Sequence, residues 1–257
     1  MLSIKNLYKS FGGIKAINNV SIDIKQGSIT ALIGPNGAGK TTLFNVINGS
    51  IKPDAGEITL VNINITGHEP HQLFNLGILR TFQIAHEFSS LTVKDNLMMV
   101  PPNQKGESIL QTWISPQKIK IEENEISKKA DEVMDFLQLK HLSNEYAGNL
   151  SGGQKKLLEL GRTMMVDAKL VLLDEVGAGV NRTLLKDLGT AIEKLNKEKG
   201  YTFCMIEHDM DFIGRLCDPV IVMAEGSVLF EGSVEDAKKD EKVIESYLGR
   251  GSKLKDN

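Results

Sequence analysis

The 257-residue sequence contains no long apolar run and nothing that resembles a leader peptide. No stretch approaches the roughly 18 to 20 consecutive apolar residues that cross a membrane as a helix. The first residues also lack the basic region and the apolar region that together make a secretory signal. We therefore expect a cytosolic chain that reaches a membrane only through a partner protein.

The sequence also has few cysteines and a small net charge. The two cysteines, Cys204 and Cys217, have neither metal-ligand spacing nor the density of a secreted disulfide scaffold. We expect both to be buried thiols in a reducing compartment. The 30 basic and 33 acidic residues give a formal net charge of -3, so the chain has no overall basic field for nucleic acid or anionic lipid. We therefore expect no nucleic-acid partner.

The residues that are present indicate a globular protein with alternating strands and helices. Hydrophobic residues make up 41% of the chain and charged residues 25%. The first sixty residues alternate between apolar and polar, which predicts strands, and helical periodicity predicts helices over 40–48, 154–165 and 183–199. Because strands that alternate with helices usually pair in parallel, the sequence predicts a doubly wound α/β core with a mixed sheet.

A helical arm interrupts this core. Residues from about 86 to 148 combine helical periodicity with many charges, and the charge run 118–135 is typical of a solvated helix face. The last residues, 250–257, are polar and charged and are expected to form a disordered tail. The sequence therefore predicts one domain over residues 1–249 with an inserted arm.

The segment GPNGAGKT, residues 34–41, matches the pattern G-x-x-x-x-G-K-[ST] between an apolar strand and a predicted helix. Glycines let successive backbone N–H groups turn toward phosphate oxygens, and the N-terminus of the following helix favours negative charge. We expect Lys40 to reach the β- and γ-phosphates of a bound ligand and Thr41 to place its hydroxyl on Mg²⁺. The alternative is a purely structural glycine-rich turn.

Two carboxylates, Asp174 and Glu175, directly follow the apolar run of residues 170–173. The carboxyl end of a buried strand is where α/β sheets bind ligands. We expect Asp174 to bind Mg²⁺, directly or through water, and Glu175 to act as the general base that orients the attacking water. Without the phosphate loop, the same pair would be interpreted as a solvated strand end.

The segment LSGGQ, residues 150–154, stands directly before a predicted helix, where Ser151 could serve simply as a helix cap. Together with GPNGAGKT and LVLLDE, in this order and spacing, it makes the sequence resemble the ATP-binding subunits of ABC transporters. The resemblance extends from residue 1 to about residue 249. It implies an α/β fold with a P-loop NTPase core, a mixed sheet, an N-terminal antiparallel β part and an inserted helical subdomain.

The resemblance also implies roles for residues that form no motif by themselves. Phe11 matches an aromatic residue that stacks on adenine, Gln83 a glutamine that senses Mg²⁺ and the γ-phosphate, and His208 a histidine that contacts the γ-phosphate. For His208 a structural role is the alternative. The expected ATP contacts are Phe11, Gly34, Pro35, Asn36, Gly37, Ala38, Gly39, Lys40, Thr41 and Thr42. The expected catalytic residues are Glu175, His208 and Gln83; the expected Mg²⁺ ligands are Thr41, Gln83 and Asp174. The residues expected to face a partner's ATP are Leu150, Ser151, Gly152, Gly153 and Gln154.

Two positions depart from the usual pattern of this family. Most members carry proline where this chain has Val176, and aspartate where it has Asn181. Asparagine is familiar in the amino-acid importer branch. The valine could loosen the loop that communicates between two sites, and it is the only hint of a cassette that binds ATP without hydrolysing it.

The resemblance implies a dimer. In this family each ATP lies between the phosphate loop of one subunit and the LSGGQ segment of the other, so ATP closes the dimer and hydrolysis releases it. The chain has one copy of each motif and therefore needs a second copy of itself or a paralogue. We expect residues 84–93 to dock on an integral-membrane permease at the cytoplasmic face of the inner membrane.

Several stretches, including FGGIKAINNVS, GILRTFQ, LTVKDNL, IEHDMDFI and VIESYLG, resemble the importers of branched-chain and other hydrophobic amino acids. Such systems also use a periplasmic substrate-binding protein, and they usually have two different ATPases. The stretch 97–128 is short for that branch. Urea import and lipopolysaccharide export remain alternatives, as does a soluble ABC ATPase, although the chain lacks the long coiled coils and zinc modules usual there.

Overall fold

The computed structural model describes residues 1–81, 87–108, 113–166 and 168–248. The chain divides into two compact units. The first comprises Met1–Arg80, Lys169–Gly177 and the chain from Ile192 onward, and the second comprises Thr81–Ala168 and Ala178–Ala191.

Strands and helices alternate along most of the chain. The strands are β1 (Leu2–Phe11), β2 (Ile14–Ile24), β3 (Ile29–Ile33), β4 (Ala55–Leu60), β5 (Ile63–Asn64), β6 (Ile78–Arg80), β7 (Leu170–Asp174), β8 (Thr202–Ile206), β9 (Val220–Ala224) and β10 (Ser227–Gly232). The helices are α1 (Lys40–Ile47), α2 (Pro70–Asn75), α3 (Val93–Met98), α4 (Pro116–Phe136), α5 (Gly152–Met164), α6 (Arg182–Lys199), α7 (Met210–Leu216), α8 (Val234–Ala237) and α9 (Glu241–Leu248).

The first unit contains a six-stranded sheet in the order β10-β9-β3-β8-β7-β6. Only the β9–β10 pair is antiparallel, so the sheet is mixed, as the sequence predicts. Every residue of β3, β7 and β8 is buried, which explains why these strands are continuous apolar runs rather than alternating ones. The segments that follow β3, β6, β7 and β8 all leave the same edge of the sheet, because these strands are parallel.

A second sheet in the first unit is antiparallel, in the order β2-β1-β4-β5. Its inward side chains Leu2, Ile4 and Leu7 are at most 1% exposed. A register shift between Ile4 and Leu7 interrupts the alternation and returns Leu7 to the buried face. These residues share one hydrophobic cluster with Leu32 of β3 and Phe44 of α1, and that cluster holds α1 in place behind the phosphate loop.

The second unit is helical. Helix α4 buries Ile119, Ala130, Val133 and Met134 and exposes most of its charged residues, as expected for a solvated helix face. Helix α5 begins at Gly152, two residues before the predicted start. The earlier start follows from the side chain of Ser151, which caps the helix.

The remaining expectations concern the cysteines and membrane-spanning helices. Cys204 and Cys217 are free and buried, as predicted. Burial raises the pKa of both thiols, that of Cys217 to about 12, so both are protonated at neutral pH. Among the described residues, none of the helices is both long and apolar enough to cross a bilayer.

Candidate functional site

The phosphate loop lies between the buried strand β3 and helix α1. Gly34 and Gly39 adopt positive φ values of 146° and 98°. A Cβ atom at Gly34 would lie 2.1 Å from the carbonyl oxygen of Met223, and one at Gly39 would lie 2.3 Å from that of Ala16. Glycine is therefore required at both positions, by close approach of the backbone as well as by conformation.

Lys40 is 6% exposed, and its ammonium lies over the loop. Its Nζ donates to the carbonyl oxygens of Gly34, at 2.7 Å, and of Pro35, at 3.0 Å. Burial lowers the pKa of Lys40, and the nearby carboxylates of Glu175 and Asp174 partly offset that shift. The lysine is thus a buried cation held within the loop, close to the two predicted acidic residues.

The N-terminus of α1 is available to an anion. Its N-cap residue, Gly39, makes no side-chain capping bond, and the first turn contains no acidic residue. The first N–H groups of a helix have no partner within the helix, and the helix dipole favours negative charge there. Thr41 is exposed and Thr42 half-buried in this first turn, so their hydroxyls stand at the same end of the helix.

The outer side of the loop faces the end of the chain. Pro35, Gly37 and Ala38 line a cleft of about 580 Å³ together with residues of the β9–β10 turn and of α9. Asn36 also lines this cleft and is exposed. Burial raises the pKa of Tyr247 in α9, and the nearby backbone N–H of Gly34 partly offsets the rise. This proximity is not predictable from the sequence.

Asp174 ends β7 as a buried carboxylate, 6% exposed. Its Oδ2 accepts a hydrogen bond of 2.6 Å from Nη2 of Arg80, which ends β6. Nη1 of the same guanidinium donates to Oδ1 of Asn45 in α1, and the group lies 5.8 Å from the ring centroid of Phe44. Arg80 therefore links the predicted Mg²⁺ ligand to the helix that carries the phosphate loop.

Glu175 and His208 lie in contact where β7 and β8 end. Oε1 of Glu175 is 3.1 Å from Nε2 of His208, although 33 residues separate the two in the sequence. Glu175 has a φ of 48°, which is unusual for a residue other than glycine, and its N–H donates to the carbonyl oxygen of Ile206. Such backbone strain is common at functional sites, where surrounding contacts hold it in place.

The two departures from the family pattern occupy well-defined environments. Val176 is 4% exposed, and the next N–H, that of Gly177, donates to the carboxylate of Glu207. The Asn181 side chain accepts a hydrogen bond from the N–H of Leu184 at the start of α6, which is a helix-capping contact. An asparagine oxygen can accept this bond as an aspartate oxygen would.

The LSGGQ segment belongs to the second unit and starts α5. The Ser151 side chain accepts from the N–H of Gln154, and the Gln154 side chain accepts from the N–H of Ser151. This reciprocal capping box leaves Ser151 and Gly152 exposed at the helix N-terminus, whereas Leu150 is buried beneath them. Gly153 is buried against Leu184, whose Cδ1 would lie 2.4 Å from an added Cβ.

Phe11 and Gln83 are the remaining predicted site residues. Phe11 ends β1 with 48% of its surface exposed, and the Lys9 ammonium lies 5.5 Å from its ring centroid. The ring is therefore accessible to a flat ligand. Gln83 lies outside the described residues, as does the start of the predicted docking segment, residues 84–86.

Arg80 and Glu207 contact predicted site residues but are not predicted from the sequence. Arg80 is part of the quoted stretch GILRTFQ, and Glu207 stands next to His208, but neither belongs to a motif with a known chemical requirement. Each is a charged residue at the carboxyl end of a buried strand, as Asp174 is, but that position alone does not distinguish a buried side chain from a solvated one.

Comparison with known proteins places these motifs in a family. Residues 17–178 match the family model described as ABC transporter. The chain is 44% identical to the probable branched-chain amino acid transport ATP-binding protein LivG of Archaeoglobus fulgidus, over 97% of this chain and 95% of that protein.

Solved structures agree with the sequence comparison. The chain resembles the ADP conformation of an ATP-binding cassette of an ABC transporter, with a TM-score of 0.84 and 39% identity over 97% of this chain and 99% of that one. It also resembles a dimeric structure of a bacterial ABC transporter cassette, with a TM-score of 0.73 and 25% identity over 91% of this chain and 99% of that one.

Proposed function

The chain belongs to the ABC transporter family, and on that premise we propose that it is the ATP-hydrolysing subunit of an importer of branched-chain or other hydrophobic amino acids. The observation that carries the proposal is the convergence of the phosphate loop, Asp174, Glu175 and His208 on one edge of the sheet. The amino-acid substrate is supported by the relative from Archaeoglobus fulgidus, whose name refers to branched-chain amino acid transport.

ATP fits the site through its phosphates and its base. The glycine-rich loop, the uncapped N-terminus of α1 and the buried Lys40 ammonium offer donors and positive charge to the phosphates. The exposed ring of Phe11 offers a stacking surface for adenine.

Mg²⁺ fits the same site by its ligand chemistry. The exposed Thr41 hydroxyl and the Asp174 carboxylate are the hard oxygen ligands that Mg²⁺ prefers, and Gln83 would join them. When bound, the ion neutralises charge on the phosphate oxygens.

Hydrolysis is assigned to the Glu175–His208 pair. A carboxylate at the end of β7 can accept a hydrogen bond from the attacking water, orient it toward the γ-phosphate and take its proton. His208 contacts Glu175 through Nε2, and this contact can hold the carboxylate in place. In the proposed mechanism the same histidine contacts the γ-phosphate. The buried Lys40 stabilises charge that develops on the phosphate oxygens.

A complete site requires a second ATP-binding subunit. The chain has one phosphate loop and one LSGGQ segment, and the capped N-terminus of α5 presents the exposed Ser151 and Gly152. In the proposed dimer, the Ser151 hydroxyl and the N–H of Gly153 meet the γ-phosphate bound to the partner subunit, which is either a second copy or a paralogue. The γ-phosphate then favours the closed dimer, because it is the group contacted only in that state.

The transporter provides the remaining partners and the location. Residues 84–93 dock on integral-membrane permease subunits, which hold the chain at the cytoplasmic face of the inner membrane. A periplasmic substrate-binding protein delivers the substrate on the other side. Val176 is compatible with this activity, because Glu175 and His208 are both present and in contact.

The first experiment combines the wild-type ATPase rate with light scattering of Glu175→Gln in Mg-ATP. We expect the variant to lose hydrolysis by about 100-fold or more while ATP holds it as a dimer, since a positioned base contributes about 10²- to 10⁴-fold. The double variant Lys40→Ala/Glu175→Gln is the control and should remain monomeric. A Glu175→Gln variant that hydrolyses ATP at the wild-type rate would contradict the assignment of Glu175.

A second experiment tests the substrate. The chain is purified with its permease subunits, reconstituted in liposomes with the binding protein, and assayed for ATP hydrolysis with leucine, urea or no addition. We expect leucine alone to stimulate hydrolysis. Stimulation by urea instead would favour the urea-import alternative, and co-purification with ribosomes or DNA rather than permeases would favour a soluble ABC ATPase.

A further inference from the structure

Glu207 is a buried carboxylate directly after β8, with 4% of its surface exposed. Both of its oxygens accept a backbone hydrogen bond. Oε1 accepts from the N–H of Gly177 at 2.6 Å, and Oε2 accepts from the N–H of His208 at 3.1 Å. The side chain therefore joins two loops whose residues are about 30 positions apart in sequence.

These loops carry the proposed catalytic pair. In the ladder between β7 and β8, the last registered pair is Asp174 with Ile206, and one further bond runs from the N–H of Glu175 to the carbonyl oxygen of Ile206. Beyond that bond the Glu207 carboxylate makes the next connection, through Gly177. Together with the contact between Glu175 and His208, it closes a ring of interactions around the two functional side chains.

A carboxylate suits this position because both neighbours are donors. A carboxylate has two acceptor oxygens and no donor, whereas a glutamine amide has one acceptor oxygen and a group that would point N–H against N–H. Within the described residues, no ion pair joins Glu207 to a lysine or arginine. The hydrogen-bond donors to this buried carboxylate are backbone N–H groups, and burying a carboxylate is costly unless such bonds are maintained.

We propose that Glu207 is a positioning residue for ATP hydrolysis, which holds the backbone of His208 and the loop after Glu175 so that the two side chains meet. This inference rests on the proposed function, because it takes Glu175 and His208 to be the hydrolytic pair. Glu207 acts through backbone atoms of these loops and touches neither the nucleotide nor the attacking water.

The test is the variant Glu207→Gln in the full chain, with kcat measured at saturating Mg-ATP and the dissociation constant of ATP measured separately by equilibrium fluorescence titration. We expect kcat to fall by about 10- to 100-fold, because small misplacements of reacting groups cost that much. The ATP dissociation constant should stay within about two-fold of the wild-type value, since the hydrogen bonds described for Glu207 go to Gly177 and His208, outside the phosphate loop.

Two further variants separate positioning from general destabilisation. Glu207→Asp keeps two acceptor oxygens and should retain a higher kcat than Glu207→Gln. This order should hold even if the Asp variant does not unfold at a higher temperature than the Gln variant. Glu231→Gln, at an exposed position in β10, is the matched surface control and should resemble the wild type in both measurements. If Glu207→Gln does not fold, Glu207→Asp and Glu207→Ala give the same comparison of kcat with ATP affinity.

The outcomes distinguish this inference from the proposed function. An active wild type together with a Glu207→Gln variant of unchanged kcat would overturn the positioning role alone. Equal losses of kcat and ATP affinity would overturn it as well, because they would indicate a purely structural residue. A wild-type chain that binds ATP but hydrolyses none, even with its permease partners, would overturn the proposed function and the positioning role with it.

Discussion

The phosphate loop and the carboxyl ends of β7 and β8 belong to the same unit but are held together in different ways. The loop is anchored through its own backbone carbonyl oxygens: the Lys40 side chain donates to those of Gly34 and Pro35, and the N–H of Gly226 donates to that of Ala38. The strand ends are joined by side chains that are distant in sequence, such as Arg80 with Asp174. A contiguous motif can therefore encode the first arrangement, whereas the second depends on partners that only the fold brings together.

The largest effect should come from breaking the side-chain arrangement at Arg80. Arg80 and Asp174 have side-chain exposures of 10% and 9%. Replacing Arg80 with methionine leaves the Asp174 carboxylate buried without its guanidinium, and losing one partner of a buried pair typically costs about 3 to 5 kcal/mol. We expect a loss near the lower value, about 3 kcal/mol, because the Lys40 ammonium also lies near Asp174. Urea unfolding measures it.

A matched surface pair gives the control for that variant. Lys9 and Asp54 also lie in the first unit, with a similar separation of 2.7 Å but side-chain exposures of 16% and 45%. Lys9→Met should cost much less than Arg80→Met, because exposed ion pairs contribute little to stability. If Arg80→Met proved no more costly than Lys9→Met, burial would not be what makes the Arg80 link important.

The next largest effect concerns Lys40, the side chain of the phosphate loop that is expected to bind the phosphates. Lys40→Ala removes the ammonium that faces the phosphates, and we expect ATP affinity to fall by about 100-fold, or about 2.7 kcal/mol. Isothermal titration measures it, with Lys25→Ala, an exposed lysine of the same unit, as the control. Affinity within about ten-fold of the wild-type value would contradict the assignment of Lys40 to the phosphates.

The same contrast explains which parts of the site could be predicted from the sequence. The family, the fold class and the strand, loop and helix around Lys40 were predictable and are confirmed, because each rests on local periodicity or a contiguous motif. Asp174 was identified from its place after a buried strand, and its burial and its link to Arg80 became visible only in the structure.

Arg80 and Glu207 could not be identified from the sequence, for a physical reason. The bond between Arg80 and Asp174 spans 94 residues and that between Glu207 and Gly177 spans 30. A charged residue near a strand end is usually solvated, and only tertiary packing decides whether it is buried. From the sequence, Ser151 is expected either to bind a ligand or to cap a helix. In the structure its side chain caps α5.

The smallest effect should come from replacing glycines of the phosphate loop with alanine. Comparing two such positions separates the cost of a steric contact with neighbouring backbone from the cost of a positive φ. Gly37 and Gly39 both have positive φ, at 80° and 98°, so an alanine at either position is strained. An added Cβ meets nothing within 4 Å at Gly37, whereas at Gly39 it would lie 2.3 Å from the carbonyl oxygen of Ala16. Gly39→Ala must therefore shift backbone, and we expect it to destabilise the protein by about 1 to 2 kcal/mol more than Gly37→Ala does.

Urea unfolding of both variants, with ATP titration of each, measures this difference. Gly39→Ala should also weaken ATP binding more, because Gly39 is the N-cap of α1 and its movement displaces the N–H groups that would face the phosphates. Equal losses of stability in the two variants would mean that the left-handed conformation alone, and not the contact with β2, requires glycine at residue 39. The loop would then be specified by its own conformation, without help from the antiparallel sheet.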